Sequence, residues 1–284
     1  LILGAICNMF ASVLASATPT SPQKAPSEQT NTAERLISAG RIRQQGQRIA
    51  KLYLQIGMNL NADTARKQLD QARLQVDSDL SELATIAGSD KTRPTLERML
   101  EVWAAMKRAT EAPFSVERRN LINYLAEDLS LASGKLAMQM ERSSDAPVSG
   151  LLDLSLRQNM LLQRLARHYL MAHFGDKTHG LQVDIEQTRK EFSAALNELS
   201  AARENTKATL AAVDLAKMQW VFFEQALDNQ KNGLASNPKN VATTSERILE
   251  ALDSASKQYA QDSGPAARDN ARMALTGDGQ SRRN

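Results

Sequence analysis

The feature that most constrains this chain is a helical pattern of apolar residues, interrupted by turn signals at regular distances. From Thr32 onward the apolar residues follow the period of an α-helix, and strand-favouring runs of Val, Ile, Thr and Tyr are absent. Only 4% of the residues are aromatic, which suits a bundle of helices. The pattern predicts eight helices, at residues 33–59, 63–87, 92–112, 115–141, 149–174, 178–202, 206–230 and 237–261.

The eight predicted helices fall into two similar halves. Residues 47–54 read QRIAKLYL and residues 163–170 read QRLARHYL, a shift of 116 positions, and Trp103 recurs as Trp220 at a shift of 117. Such self-similarity indicates an internal duplication. The sequence therefore predicts an all-α fold of two tandem antiparallel four-helix bundles, at residues 32–144 and 145–261. Tyr53 and Tyr169 are then expected in equivalent environments, and Trp103 and Trp220 in the two cores.

The N-terminal segment is interpreted as a cleavable signal peptide at residues 1–17. It carries no charge and ends in Ala15-Ser16-Ala17, an A-x-A cleavage pattern. A flexible linker at 18–31, a periplasmic location and a disordered tail at 262–284 complete this interpretation. An uncleaved membrane anchor is the alternative, and a lipoprotein at Cys7 is disfavoured because Ile6, not a small residue, precedes it.

Composition and motifs argue against several classes of function. The net charge of +3 comes from interspersed acids and bases, without the Lys/Arg runs that bind nucleic acid or the basic amphipathic face that binds lipid. The three histidines lack the spacing of a zinc helix, and Glu-x-x-His, haem and phosphate-loop motifs are absent from the sequence. We therefore expect no enzyme activity, no metal site and no cofactor, and we expect His168 to lie on the surface.

One segment of the first predicted helix carries a resemblance to a known family. Residues 39–51, AGRIRQQGQRIAK, resemble the opening helix of the PilJ/NarX-type sensor domain, which is the N-terminal domain of type IV pili chemotaxis transducers and of nitrate/nitrite sensor kinases. The resemblance extends over residues 32–261 and implies periplasmic four-helix bundles, often dimeric. In its nitrate-sensing members, paired arginines from two first helices hold an anion, and the matching position is Arg43.

Three departures from the family pattern bear on this expectation. Gln44 stands where the family often has Met, Gly46 stands where Ser is usual, and Asn159 occupies the arginine position of the second copy. That copy also has Leu156 and Leu162 in place of Gly40 and Gly46. We expect the second copy to be structural or to bind something else, and the kinase or chemotaxis output modules of the family are absent from this sequence.

The chemistry of Arg43 supports the same expectation independently. Ile42, Ile49, Leu52 and Ile56 form one core face of the first helix, and Arg43 lies at its edge beside small residues that permit close helix packing. A partly desolvated guanidinium offers a planar fork of donors to an oxyanion. The alternative is that Arg43 reaches solvent or pairs with a Glu on a neighbouring helix.

The predicted ligand-binding residues are Arg43, Gly46, Gln47 and Arg48. Arg41 and Arg48 recur as Arg157 and Arg164, which favours a salt bridge to the fourth helix of the same bundle, with a second anion contact as the alternative.

Two functions remain open at this stage. The first is a periplasmic sensor-type protein that binds a small oxyanion such as nitrate or nitrite and signals through a membrane receptor or another protein partner. The second is a ligand-free helical interaction protein of a membrane or pilus-linked signalling complex. The resemblance also implies a homodimer, whereas nucleic acid is not expected as a partner.

Overall fold

The computed structural model of the chain describes residues 28–86, 91–143 and 150–262, which are helical apart from short connecting loops. Within these ranges there are eight α-helices and no strand, which confirms the predicted fold class. The helices are α1 Glu28–Gly57, α2 Ala62–Ile86, α3 Arg93–Glu111, α4 Val116–Arg142, α5 Gly150–His173, α6 His179–Ala201, α7 Lys207–Lys231 and α8 Pro238–Asp262.

The predicted terminal segments fall mostly outside the described residues. The signal peptide at residues 1–17 lies outside them, as does the tail after Asp262. The prediction of a linker at 18–31 is wrong at its end, because α1 begins at Glu28 and residues 28–31 are helical. The apolar pattern begins only at Ala33, but helix propagation adds one hydrogen bond for each residue fixed, so a helix extends beyond its packed face.

The helix ends follow from local sequence. The side chain of Ser115 accepts a hydrogen bond from the Arg118 backbone N–H, and Thr206 caps α7 in the same way through the N–H of Thr209. These bonds satisfy backbone donors that the first turn of a helix leaves without a partner. A proline in the first turn of α3, and Pro238 at the start of α8, cost nothing at positions where no N–H is needed.

The helices form two quartets with the same internal arrangement. In the first, α1 packs against α2 and α4, and α3 packs against α4; in the second, α5 packs against α6 and α8, and α7 packs against α8. This arrangement agrees with the predicted tandem bundles. A further contact was not predicted: α1 packs along α5, so the two bundles join through their first helices.

Each bundle has a core in which the predicted anchors are buried. Ile42, Ile49 and Leu52 are completely buried, as expected of one face of α1. Trp103 lies in the first core, where its Nε1 donates to Asp77 at 2.7 Å. Trp220 lies in the second core beside Phe192, with ring centroids 4.5 Å apart. Both tryptophans therefore anchor the third helix of their bundle against the second.

The two tyrosines that mark the duplication have equivalent partners. The Tyr53 hydroxyl donates to the carbonyl oxygen of Pro113 at 2.9 Å, and the Tyr169 hydroxyl donates to Ser236 Oγ at 2.7 Å. Pro113 and Ser236 both lie in the loop between the third and fourth helices of their bundle. The first helix of each bundle is thus fastened to the same loop, as the duplication predicts.

Among the described helices, none combines the length and the apolar character that crossing a bilayer requires.

Candidate functional site

Arg43 lies where α1 meets both α4 and α5. The Arg43 carbonyl oxygen accepts a bond from Ser130 Oγ of α4 at 3.4 Å. Its guanidinium passes over Gly134, where an added Cβ would lie 3.8 Å from Arg43 Cζ. Towards the described residues the Arg43 side chain makes no hydrogen bond or ion pair, and its Nε is buried without a partner. The structure therefore does not support the alternative in which Arg43 pairs with a Glu on a neighbouring helix.

A small cavity opens beside this guanidinium. It is lined by α1, α4 and α5, and Arg43, Ser133, Asp153 and Arg157 supply its polar groups. Its volume is about 30 Å³, which is room for about two or three water-sized groups. Only a small ligand fits a space of this size.

The charges around the cavity favour an anion. Burial lowers the pKa of Arg43, and the nearby Arg157 guanidinium lowers it further, while Asp153 acts in the opposite direction. Arg157 is itself partly neutralised, because its Nη2 donates to Glu191 of α6 at 2.9 Å. A desolvated cation beside a second cation gains most from an anion that contacts both. The arrangement can thus bind a small oxyanion between helices of the two bundles.

The opposite side of the same helix junction is different. Leu156 of α5 packs on Gly40 of α1, where an added Cβ would lie 3.1 Å from the leucine carbons. Behind Leu156 a second cavity measures only about 10 Å³, and Asn159 stands there in the place that corresponds to Arg43. Asn159 is buried and donates to Ser256 Oγ at 3.4 Å. The second copy therefore has an amide in place of the cation, at a part of the α1–α5 interface that the Leu156 side chain fills.

Gly46 and Gln47 face α4 rather than the cavity. A Cβ on Gly46 would lie 3.3 Å from Leu129 Cδ2, so the glycine permits close approach of α1 and α4. Gln47 is fully buried and donates to Ser130 Oγ at 2.9 Å, while its Oε1 has no partner among the described residues. These two residues position the helix that carries Arg43, and their role as ligand contacts stays a prediction.

Arg48 faces the other bundle. Its Nε lies 3.0 Å from Glu246 Oε2 of α8, and Lys51 of α1 binds the same carboxylate. The prediction that Arg48 bonds the fourth helix of its own bundle is wrong, because α5 and α8 cover this face of α1. Arg41 also departs from that prediction, since it pairs with Asp79 of α2 at 2.7 Å. Arg48 is therefore bound to Glu246, whereas the Arg43 side chain has no partner among the described residues, and the role of Arg48 as a ligand contact stays a prediction.

The second repeat makes the reciprocal ion pairs. Arg164 and Arg167 of α5 both pair with Glu127 of α4, just as Arg48 and Lys51 of α1 pair with Glu246 of α8. The first helix of each bundle thus forms ion pairs with the fourth helix of the other bundle. This exchange is the pattern of a two-fold symmetric interface, here formed within one chain.

Lys51 and Arg167 are the functional-site candidates that sequence reasoning missed. The Lys51 side chain is fully buried and that of Arg167 is 2% exposed. Burial alone would raise the pKa of Glu246, but Lys51 and Arg48 outweigh it and lower that pKa to about 2. Lys51 and Arg167 occupy the same position in the two repeats. A cation that recurs within the buried part of the first helix was the sequence signal that could have identified them.

The prediction of a surface position for His168 is also wrong. His168 is 4% exposed, and burial beside Arg167 and Arg164 lowers its pKa well below the ordinary value. Its Nε2 lies 2.9 Å from Arg167 Nη2 and accepts that hydrogen bond, since a guanidinium has only donors. The first repeat has Leu52 at this position, so the site tolerates an apolar side chain.

Polar side chains are unusually abundant in the buried parts of the two first helices. Buried amides without a complete set of partners include those of Gln44, Gln45, Gln47, Gln158, Asn159 and Gln163. Natural interiors seldom leave such groups unsatisfied.

Across the described ranges, no group of three His, Cys, Asp or Glu side chains is placed to hold a metal ion.

The fold and the site together define an all-α protein in which two four-helix bundles share an arginine-lined junction. No family model, no curated protein and no solved structure matches this chain.

Proposed function

We propose that this chain is a periplasmic sensor-type protein that binds one small oxyanion, such as nitrate or nitrite, at the junction of α1, α4 and α5. The observation that carries the proposal is the Arg43 guanidinium, which is partly buried beside the cavity and makes no side-chain bond to any described residue. Planar oxyanions match the donor fork of a guanidinium. The likeness of residues 39–51 to the PilJ/NarX-type sensor domain supports the same ligand class.

The site also suggests how binding would be transmitted. The cavity is lined by α1 and α4 of one bundle and by α5 of the other. An anion that contacts Arg43 and Arg157 favours whichever packing of α1 against α5 brings these groups together, so binding energy is converted into a change of helix packing. The signal would pass to a membrane receptor or another protein partner, and the periplasmic location depends on the interpretation of residues 1–17 as a signal peptide.

Thermal unfolding in the presence of single anions tests the proposal. Nitrate or nitrite should raise the melting temperature of the wild-type protein, because a ligand that binds only the folded state stabilises it. Arg43→Ala should abolish the shift, and Arg43→Lys should reduce it, since lysine keeps the charge but loses the planar fork. Arg247→Ala, which removes an exposed arginine of α8, should respond like the wild type.

A second candidate function is that of a ligand-free helical interaction protein. Large apolar side chains are exposed on α4 and α7, including Leu131 and Phe222, and such residues commonly mark contact surfaces. The anion experiment separates the two candidates. If no small oxyanion shifts the wild-type melting temperature, the oxyanion proposal fails and the interaction function is favoured.

A further inference from the structure

The outer face of α4 carries a stripe of exposed apolar side chains. Leu121, Tyr124, Leu131 and Met138 lie along it, and Leu131 is 74% exposed. Their spacing of three and seven residues places all four on one side of the helix. Single exposed apolar residues are normal on protein surfaces, but four in line on one helix indicate a contact surface.

The duplication provides an internal control for this face. The buried positions of α4 and α8 correspond at a shift of 119 residues, so that Leu129 matches Ile248 and Glu127 matches Glu246. At the positions that correspond to the four apolar residues of the stripe, α8 has Asn240, Thr243, Glu250 and Lys257, all of them exposed. The bundle therefore folds with a polar face at this place, and folding does not explain the apolar residues of α4.

Charged residues interleave with the apolar stripe on the same face of α4, and this face is complementary to a second copy of itself in the opposite orientation. From the first turn of α4 to its last, the face comprises Glu117, Leu121, Tyr124, Asp128, Leu131, Lys135, Met138 and Arg142. Its acids lie in the first half and its bases in the second. Two copies in antiparallel register, with a two-fold axis between residues 129 and 130, form four pairs, each twice. Glu117 lies against Arg142, Leu121 against Met138 and Tyr124 against Lys135, and Asp128 lies against Leu131 beside the axis.

These pairings suit a helix–helix contact. Leu121 and Met138 bury each other, and the aliphatic stem of Lys135 covers the Tyr124 ring. The Lys135 ammonium reaches the Asp128 side chain one turn away, a carboxylate that Arg98 of α3 also binds. The contact runs over 26 residues, from Glu117 to Arg142, which is about 39 Å of helix. A parallel pairing would instead place like charges opposite each other along the whole stripe.

We infer that α4 is a dimerisation surface on which a second copy of this chain packs its own α4 in antiparallel register. The inference is independent of the anion proposal, because the stripe lies on the outer face of α4 whereas Arg43 lies at its inner junction with α1 and α5.

Sedimentation of the full chain over a wide concentration range tests the inference. The wild-type protein should show a reversible monomer–dimer equilibrium, and Leu131→Glu should leave only monomer. Glu117→Arg and Arg142→Glu each place like charges opposite one another twice, and each should raise the dimer dissociation constant about tenfold. The double variant restores opposite charges and should recover the wild-type constant. This recovery is specific to the antiparallel register.

A control variant and a folding check keep the result interpretable. Phe222→Glu places a charge on the exposed apolar face of α7 and should leave the dimer unchanged. Glu117 lies in the first turn of α4 and Arg142 in its last turn, so each variant loses a favourable interaction with the helix dipole and should lower the melting temperature slightly. Both side chains are exposed, so the variants should keep the wild-type circular dichroism spectrum. A wild-type protein that stays monomeric overturns the inference. So does a double variant that dimerises no better than the single variants, or a dimer that Phe222→Glu disrupts.

Discussion

Replacing Glu246 by Gln should destabilise the protein strongly, although the two side chains have nearly the same shape. Glu246 is the carboxylate that both Arg48 and Lys51 contact across the junction of the two bundles. In the variant, the fully buried Lys51 ammonium keeps only neutral partners: Ser245 Oγ at 3.1 Å and the amide oxygen of the new glutamine. Arg48 is less affected because its side chain is 14% exposed and reaches water.

The expected magnitude follows from two lines of reasoning. Removing one member of a buried ion pair costs about 3–5 kcal/mol, and the retained amide oxygen favours the lower end of that range. The pKa of Glu246 falls from 4.5 to about 2, a shift that corresponds to roughly 3 kcal/mol of stability at neutral pH. A loss of about 3 kcal/mol lowers the melting temperature of a protein of this size by about 6–12 °C.

Urea denaturation followed by circular dichroism measures this loss. Glu250→Gln is the matched control, because Glu250 lies one turn further along α8 and is exposed; it should change stability by less than about 0.5 kcal/mol. Adding Lys51→Met to Glu246→Gln should recover more than half of the loss, since the unpaired buried charge is then removed. The reasoning is refuted if Glu246→Gln is no more destabilising than Glu250→Gln.

The same experiment has a defined pH dependence. Because the pKa of Glu246 is lower in the folded than in the unfolded protein, its contribution is complete above the ordinary pKa of 4.5 and is lost as the pH falls towards 2. The stability difference between the wild type and Glu246→Gln should therefore be constant from neutral pH down to about pH 5 and should shrink below it. A difference that stayed unchanged at pH 3 would contradict this assignment.

Two further predictions concern single positions. Gly57→Ala should lower the free energy of unfolding in urea by about 1–3 kcal/mol, because a Cβ there would lie 2.2 Å from the Phe114 ring. Gly180→Ala is the control: a Cβ there would meet nothing within 4 Å, and the variant should raise the free energy of unfolding by about 0.5–1 kcal/mol. His168→Leu should gain stability relative to the wild type as the pH falls below about 6.5, since only the unfolded wild-type protein takes up a proton at this residue in that range. Denaturation at pH 8 and pH 5.5 would show it, and equal differences at the two pH values would refute it.

Much of the fold could be predicted because its signals are local. The helical period, the caps at Ser115 and Thr206, and the prolines that open α3 and α8 all act within a turn or two of the chain. The duplication was visible because the residues that fasten the first helix to its own bundle, such as Tyr53 and Tyr169, are the same in both copies.

The candidate site was predicted only in part. The sequence pointed to Arg43, and the structure places it beside a cavity, where it has no ion-pair partner among the residues described. The sequence did not reveal that Arg157 lines the same cavity, or that Arg48 is bound to Glu246. Both facts depend on residues more than 100 positions apart, and no local pattern links them.

The sequence by itself thus determined which residues form helices and which of them share a face, because φ/ψ preference and side-chain period are properties of neighbouring residues. Only the tertiary structure decided what covers each face. It placed α5 and α8 against α1, and so buried His168, paired Lys51 with Glu246, and left Arg43 at the edge of the junction. The physical reason is that burial and ion pairing depend on distance in space, and the docking of one bundle on the other is settled by the summed contacts of both surfaces.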